Sequence, residues 1–380
     1  MTLAERDHKI DVMRGLAVLG VLLIHTQNAW YLGVGSDIPL ETRLRLRDHW
    51  LGILSIPVTF GFLGLNLFFV LSGLCIHLWT LKRSAASPDW KFSFLPYMKR
   101  RLTRLYPAYA GAIVFSLGCL ALAEWIRLQV LGYPSLSAYA NNVLEQTLRY
   151  LTFTHTLKRE TFGGFNAPLY TMAIEFHFYL LYPLVLWGFR RFGPALTLGA
   201  SVVHSAVWTA ATILVADEKF SRLVMDSVLV RWPEWIAGCL LAEQWVGRRQ
   251  NLLGSLRPRA VWSLSGLCLG LAAYVQIRYG LQLNVLWSAG LLFPMALYLA
   301  PADREETRAE QAIRRVGLFS YSVYLLHYPV LRIFAILLPP EPSRLLLHLG
   351  IYGLVITGIL IIGFLFFKVF EEPVLTRRAQ

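Results

Sequence analysis

Three ionisable residues share one apolar stretch near the start of the chain, Asp11-Val-Met-Arg14-Gly-Leu-Ala-Val-Leu-Gly-Val-Leu-Leu-Ile-His25. At about 100° per residue, positions 11, 14 and 25 fall within about 60° of one another on a helix. An imidazole titrates near neutral pH and can take a proton from a hydroxyl. A guanidinium on the same stripe can hold negative charge, and Asp11, three residues before Arg14, can pair with it. The helical rise puts His25 about 21 Å beyond Asp11, in the outer half of a hydrocarbon core about 30 Å thick. Ionisable groups at that depth are costly, so they face a bundle interior or a water-filled cavity.

A second stretch is Tyr97-Met-Lys99-Arg100-Arg101-Leu-Thr-Arg104-Leu-Tyr-Pro107-Ala-Tyr109. Arg101 and Arg104 are three apart, so their guanidinium forks point the same way, a pairing suited to phosphate oxygens. The third, Leu169-Tyr-Thr-Met-Ala-Ile-Glu175-Phe-His-Phe-Tyr179-Leu-Leu-Tyr-Pro183, places Glu175 about 10 Å below the outer surface. His25 comes out at a similar depth, so the carboxylate is expected to orient or polarise the imidazole. His177 is about 200° round the helix from Glu175 and faces elsewhere. A fourth stretch, Ser320-Tyr321-Ser-Val-Tyr324-Leu-Leu-His327-Tyr-Pro329, puts Tyr324 and His327 on one face, where they could line a substrate path. Arg231-Trp-Pro-Glu234 reads as a pair that neutralises itself within one helix.

The elements that must position these groups are transmembrane helices. Of 380 residues, 56% are hydrophobic and 16% charged, and the mean hydropathy is +0.50. The composition excludes an ordinary soluble domain. Apolar runs predict an all-α polytopic bundle of about ten spans, at 12–33, 57–80, 106–130, 168–189, 194–215, 225–246, 260–280, 282–300, 316–338 and 345–369. Only Gly280 and its neighbours separate the seventh from the eighth. With the N-terminus inside, Lys and Arg number roughly 22 in inner segments against roughly 10 in outer ones, so both termini are expected in the cytosol. The +13 net charge then reads as a topology signal and an attraction to anionic membrane lipids, with no call for nucleic acid. The first apolar segment is too long for a cleavable signal peptide. Cys75, Cys119, Cys239 and Cys268 lie in apolar spans at unrelated spacings, which argues against a disulfide framework and against a zinc or other metal site.

Taken together and in order, these motifs resemble the acyltransferase-3 family of integral membrane acyltransferases, which includes the O-acetylases of bacterial surface glycans. Arg14 and His25 with ten residues between them resemble its first-helix motif, and Phe68-Phe-Val-Leu-Ser72-Gly73 its second. Arg101-Leu-Thr-Arg104 with Pro107, Glu175-Phe-His-Phe-Tyr179 with Pro183, Ser320-Tyr321 through His327, and Glu371-Glu-Pro373 resemble the later ones. The Trp-Ser-Leu common before the fourth-helix Glu is replaced by Leu169-Tyr170-Thr171-Met172.

The longest connections, roughly 34–56, 81–105 and 131–167, are too short for a separate soluble domain, and the resemblance implies a single integral membrane acyltransferase domain over residues 1–380, multi-pass in the bacterial cytoplasmic membrane. It implies transfer of an acyl group, most often acetyl, from cytosolic acyl-CoA to a hydroxyl of a carbohydrate acceptor, free or lipid-linked. No bound cofactor is expected, and acyl-CoA enters as co-substrate. His25 and Glu175 would be catalytic, with His25 the general base. Arg14, Ser72, Arg101 and Arg104 would bind the acyl-CoA, and Asp11, Tyr321, Tyr324 and His327 would support them. The aromatic outer segments Trp30–Trp50 and 131–167 are where a glycan would stack. The competing reading is a proton-coupled transporter of a sugar or other small molecule, which would also need intramembrane His, Glu and Arg.

Overall fold

The computed structural model describes residues 3–31, 60–87, 89–130, 142–215, 217–246, 258–279, 282–299, 305–337 and 345–376. The regular structure among these residues is all helical, with no strand among them. The helices are α1 (Leu3–Tyr31), α2 (Leu63–Ala86), α3 (Phe94–Trp125), α4 (Val143–Leu151), α5 (Tyr170–Arg191), α6 (Pro194–Val215) and α7 (Glu218–Met225). They continue as α8 (Val228–Trp245), α9 (Pro258–Tyr279), α10 (Asn284–Leu299), α11 (Arg308–Leu318), α12 (Ser320–Leu337), α13 (Leu345–Phe366) and α14 (Glu372–Thr376).

Eight of the described helices are long and apolar enough to cross a membrane: α1, α2, α3, α5, α6, α9, α12 and α13. The two remaining expected spans are helices of a different make. Largely buried α8 carries Arg231, Glu234 and Glu243 within its 18 residues, and α10 has only 16. The third span also begins earlier than hydropathy suggests. Lys99–Arg104 are good helix formers, so α3 starts at Phe94 and carries the basic residues as its own first turns.

The chain forms two compact units. The first comprises Met1–Ala17, Leu63–Lys99 and Ile174–Arg315, the second Val18–Phe62, Arg100–Ala173 and Val316–Gln380.

In the first unit α2 and α8 meet backbone to backbone through a pair of glycines. A methyl group on Gly73 would overlap the carbonyl oxygen of Trp235, and one on Gly238 the carbonyl oxygen of Val70. Only glycine permits this approach, which seats Trp235 against Phe178 at 5.4 Å and against Tyr182 at 5.6 Å between ring centres. Val70, Leu74, Leu78, Leu241, Met295 and Leu299 complete an aliphatic core. Arg231 and Glu234 are both buried and pair at 2.8 Å, so their charges cancel inside the helix that carries them. Pro294 in α10 cannot donate to the carbonyl of Gly290, and Ser265 of α9 supplies the missing donor at 2.6 Å.

The second unit solves the same problem on α12. Pro329 frees the carbonyl of Leu325, and buried Asn166 donates to it at 3.0 Å while also donating to Ser116 at 2.9 Å. Asn166 is held by a packed loop in which Tyr150 stacks on Phe165 at 4.5 Å and on His155 at 3.8 Å. The hydroxyl of Tyr109 anchors that loop through the carbonyl of Tyr150 at 2.9 Å. Ser322 donates to Glu371, and Tyr352 donates to the carbonyl of Leu23 at 2.6 Å.

Gly238→Val is expected to destabilise the fold by about 3 kcal/mol or more, because the displaced atom is backbone carbonyl and cannot rotate away. Thermal unfolding of the detergent-solubilised protein measures it, and a melting temperature equal to wild type would refute the backbone contact.

Candidate active site

The second unit brings His25 and His327 together. Nδ1 of His25 lies 2.7 Å from Nε2 of His327, and Nδ1 of His327 lies 2.6 Å from the carbonyl oxygen of Tyr324. The rings are inclined by only 9° with centres 5.0 Å apart, the nitrogen gap plus two ring radii, so they share a plane and the bond runs within it. His327 is buried and His25 half-buried.

Counting protons assigns the tautomers. The carbonyl of Tyr324 can only accept, so Nδ1 of His327 carries a hydrogen. Neutral His327 then accepts at Nε2, which makes Nδ1 of His25 the donor. The lone pair of neutral His25 is thereby left on Nε2, the nitrogen turned away from the pair. Proline at 329 and the buried Asn166 hold the backbone from which this carbonyl projects. The hydroxyl of Tyr324 donates to the carbonyl of Pro168 at 3.0 Å and lies 2.8 Å from Thr171, so the same turn of α12 is pinned on two sides. Tyr328 sets its ring edge-on to His25 at 6.1 Å.

At the start of α3 in the same unit, Arg101 is half-buried and Arg104 exposed, three residues apart. Tyr321 donates to the carbonyl of Leu105 at 3.2 Å, tying α12 to this basic turn.

The first unit holds the remaining nominated residues in two groups. Arg14 pairs with Asp11 at 2.9 Å and donates to the sulfur of Cys75 at 3.4 Å. Glu175 accepts from Ser72 at 3.0 Å and from Tyr179, while Trp235 donates to Ser72 at 3.2 Å. Glu175 and His25 thus each have a defined set of partners within their own unit.

Sequence reading missed the in-plane contact of His25 with His327, because residues 302 positions apart leave no local signal. It also missed Cys75 beside Arg14, and Asn166, whose one clue is the proline at 329 that needs it. The aromatic segment Trp30–Trp50 lies, from residue 32 on, outside the described residues, as do 131–141. Among the described residues no group of three or more His, Cys, Asp or Glu side chains could hold a metal ion.

The tautomer assignment is open to direct measurement. Nitrogen chemical shifts of histidine-labelled protein are expected to show His25 protonated at Nδ1, and His327→Ala to let the Nε2-protonated form appear. An unchanged His25 tautomer in the variant would show that His327 does not set it.

The comparisons with known proteins agree with the motifs. The model of the acyltransferase domain family matches residues 7–368. The chain is 26% identical over 346 residues to the peptidoglycan O-acetyltransferase OatA of Listeria monocytogenes, covering 85% of this chain and 49% of that protein. It is 25% identical over 344 residues to the O-acetyltransferase OatA of Staphylococcus aureus, covering 85% of this chain and 50% of that one. The chain therefore spans about half the length of these curated relatives. No solved structure matches it. With a family match running over nearly its whole length, and with that family's motifs standing in order, the chain belongs to the acyltransferase-3 family.

Proposed function

We propose that this protein transfers an acyl group, acetyl in the simplest case, from cytosolic acyl-CoA to a hydroxyl of a surface-glycan acceptor in the bacterial cytoplasmic membrane, with both termini in the cytosol. The observation that carries the reading is the in-plane His25–His327 pair, which leaves His25 with its basic lone pair on Nε2. That the relatives named above are O-acetyltransferases supports the choice of a sugar hydroxyl as acceptor.

In this reading Arg101 and Arg104 hold the CoA phosphates by charge-assisted hydrogen bonds, each worth about 1.5–3 kcal/mol. The acceptor hydroxyl gives its proton to Nε2 of His25 as its oxygen attacks the thioester carbon. The new C–O bond forms, the C–S bond breaks, and the proton passes from His25 to the departing CoA thiolate. His327 stabilises the imidazolium that forms in between, because its Nε2 accepts from Nδ1 of His25 in both charge states. Tyr324 holds His327 through its carbonyl, and Tyr321 fixes α12 against the basic turn. Arg14 with Asp11, and Ser72 with Glu175, keep their assigned parts in donor binding and catalysis.

Purified protein supplied with labelled acetyl-CoA and a panel of glycans tests this. Transfer is expected from wild type and none from His25→Ala, with acetyl-CoA binding retained by that variant. Arg104→Ala is expected to weaken acetyl-CoA binding about tenfold. Glu175→Gln should lower kcat with donor affinity unchanged. A wild-type protein that neither binds nor cleaves any acyl-CoA would overturn the proposal.

A further inference from the structure

One face of α2 is open while the rest of the helix is covered. Between Phe69 and Leu81 every residue is buried except Ser72, Cys75 and Trp79, which are half-buried, as is Phe68 one turn earlier. At about 100° per residue these four positions fall within about 60° of one another, so they form a single stripe about 16 Å long. Hydrocarbon does not cover it. The exposed residues of α6, in the same unit, show what a lipid-covered face contains: Leu196, Val203, Val207, Ile213 and Leu214 are among them, and all are apolar. The stripe on α2 carries charge at its middle instead. Arg14 and Asp11 stand beside Cys75, and Glu175 stands beside Ser72. Ionisable groups left half-open within a span face a bundle interior or an aqueous passage.

The polar groups on the stripe have capacity to spare. Arg14 gives one N–H to Asp11 and one to the sulfur of Cys75, which leaves three of its five N–H groups to offer. Its charge is already answered by Asp11 at 2.9 Å, so those groups suit a neutral acceptor better than a phosphate. Glu175 takes both of its hydroxyl donors, Ser72 and Tyr179, on Oε1, and Oε2 stays open. Ser72 and Cys75 are separated by a rise of about 4.5 Å, so the carboxylate opens one turn beyond the arginine. Phe68 and Trp79 bracket the two polar positions with apolar surface, and Arg83 lies over Trp79 at 5.7 Å close to Ala86, where the span ends.

The chemistry that matches is a slim, uncharged chain with carbonyl acceptors set between stretches of hydrocarbon. A lipid tail has no acceptor for Arg14, and a free anion would meet an arginine already neutralised. Within the acyl-CoA reading above, on which this inference rests, the pantetheine arm is such a chain, with two amides spaced by two methylene groups. We propose that the arm lies along this stripe, an amide carbonyl on Arg14, and that Cys75 together with Phe68 and Trp79 forms the wall it touches. Glu175 keeps its part in the reaction, at the end of the stripe that the thioester reaches.

The experiment is alkylation of the full chain in nanodiscs with N-ethylmaleimide, read cysteine by cysteine by peptide mass spectrometry. Cys119 and Cys268, half-buried on α3 and α9, are internal references. Cys75 is expected to react in the free protein, because an aqueous passage admits the reagent. Acetyl-CoA or CoA at ten times its dissociation constant should slow that reaction about tenfold and leave the references unchanged. Adenosine 3′,5′-bisphosphate, the nucleotide end of CoA without the arm, should bind and give no protection. Cys75→Trp should abolish acetyl-CoA binding and retain binding of the bisphosphate, which also reports that the variant is folded, while Cys75→Ala should keep both. The proposal is overturned by a Cys75 that never reacts, one that reacts as fast with acetyl-CoA bound, or one that the bisphosphate protects equally. Acetyl-CoA binding by Cys75→Trp would overturn it too, and each of these results leaves the acyl-CoA reading standing. Failure of the wild-type protein to bind any acyl-CoA would remove both.

Discussion

A polar atom carried into the apolar interior of these helices has to find its partner inside the protein, because hydrocarbon offers none. That constraint organises both units. Prolines at 294 and 329 each release a carbonyl, and a side chain from another part of the same unit answers each one, Ser265 for Gly290 and Asn166 for Leu325. Arg231 and Glu234 cancel each other within α8, and Arg14 has Asp11 one turn away. A buried imidazole is held to the same rule, and meeting it sets which nitrogen keeps its lone pair.

The chemistry of the chain follows from that. Two histidines facing one another in the open would exchange tautomers freely. Here the carbonyl of Tyr324 removes the choice at one end, and the assignment passes through His327 to His25. The backbone that projects the carbonyl is itself pinned, by Asn166 one residue on and by the hydroxyl of Tyr324 on Pro168. A base with a preset lone pair spends nothing on reorientation when its substrate arrives.

Glycines play the complementary part. Where Gly73 and Gly238 let α2 and α8 close to backbone contact, Trp235 is driven into the space beside Phe178 and its indole reaches Ser72. Ser72 in turn donates to Glu175. A contact between small residues thus sets the geometry of a carboxylate on a third helix.

Much of this was legible in the amino-acid order. Hydropathy alone predicts an all-helical, multi-pass chain, because a span of about twenty apolar residues has no other stable state in a bilayer. Pairs within one helix were equally plain: Asp11 with Arg14 and Arg231 with Glu234 stand three apart, and a helix puts such residues on the same side. The motifs that place the chain in its family are likewise local strings, readable without coordinates. What only the tertiary structure decided are the contacts between helices. His25 with His327, Ser72 with Glu175 and His77 with Glu243 are 302, 103 and 166 positions apart. Periodicity gives the face a residue occupies on its own helix, but the neighbour, the depth and the rotation come from how side chains interlock when the helices pack. The tautomer of His25 is therefore a property of packing, since it hangs on a carbonyl oxygen that no reading of residue types could have singled out.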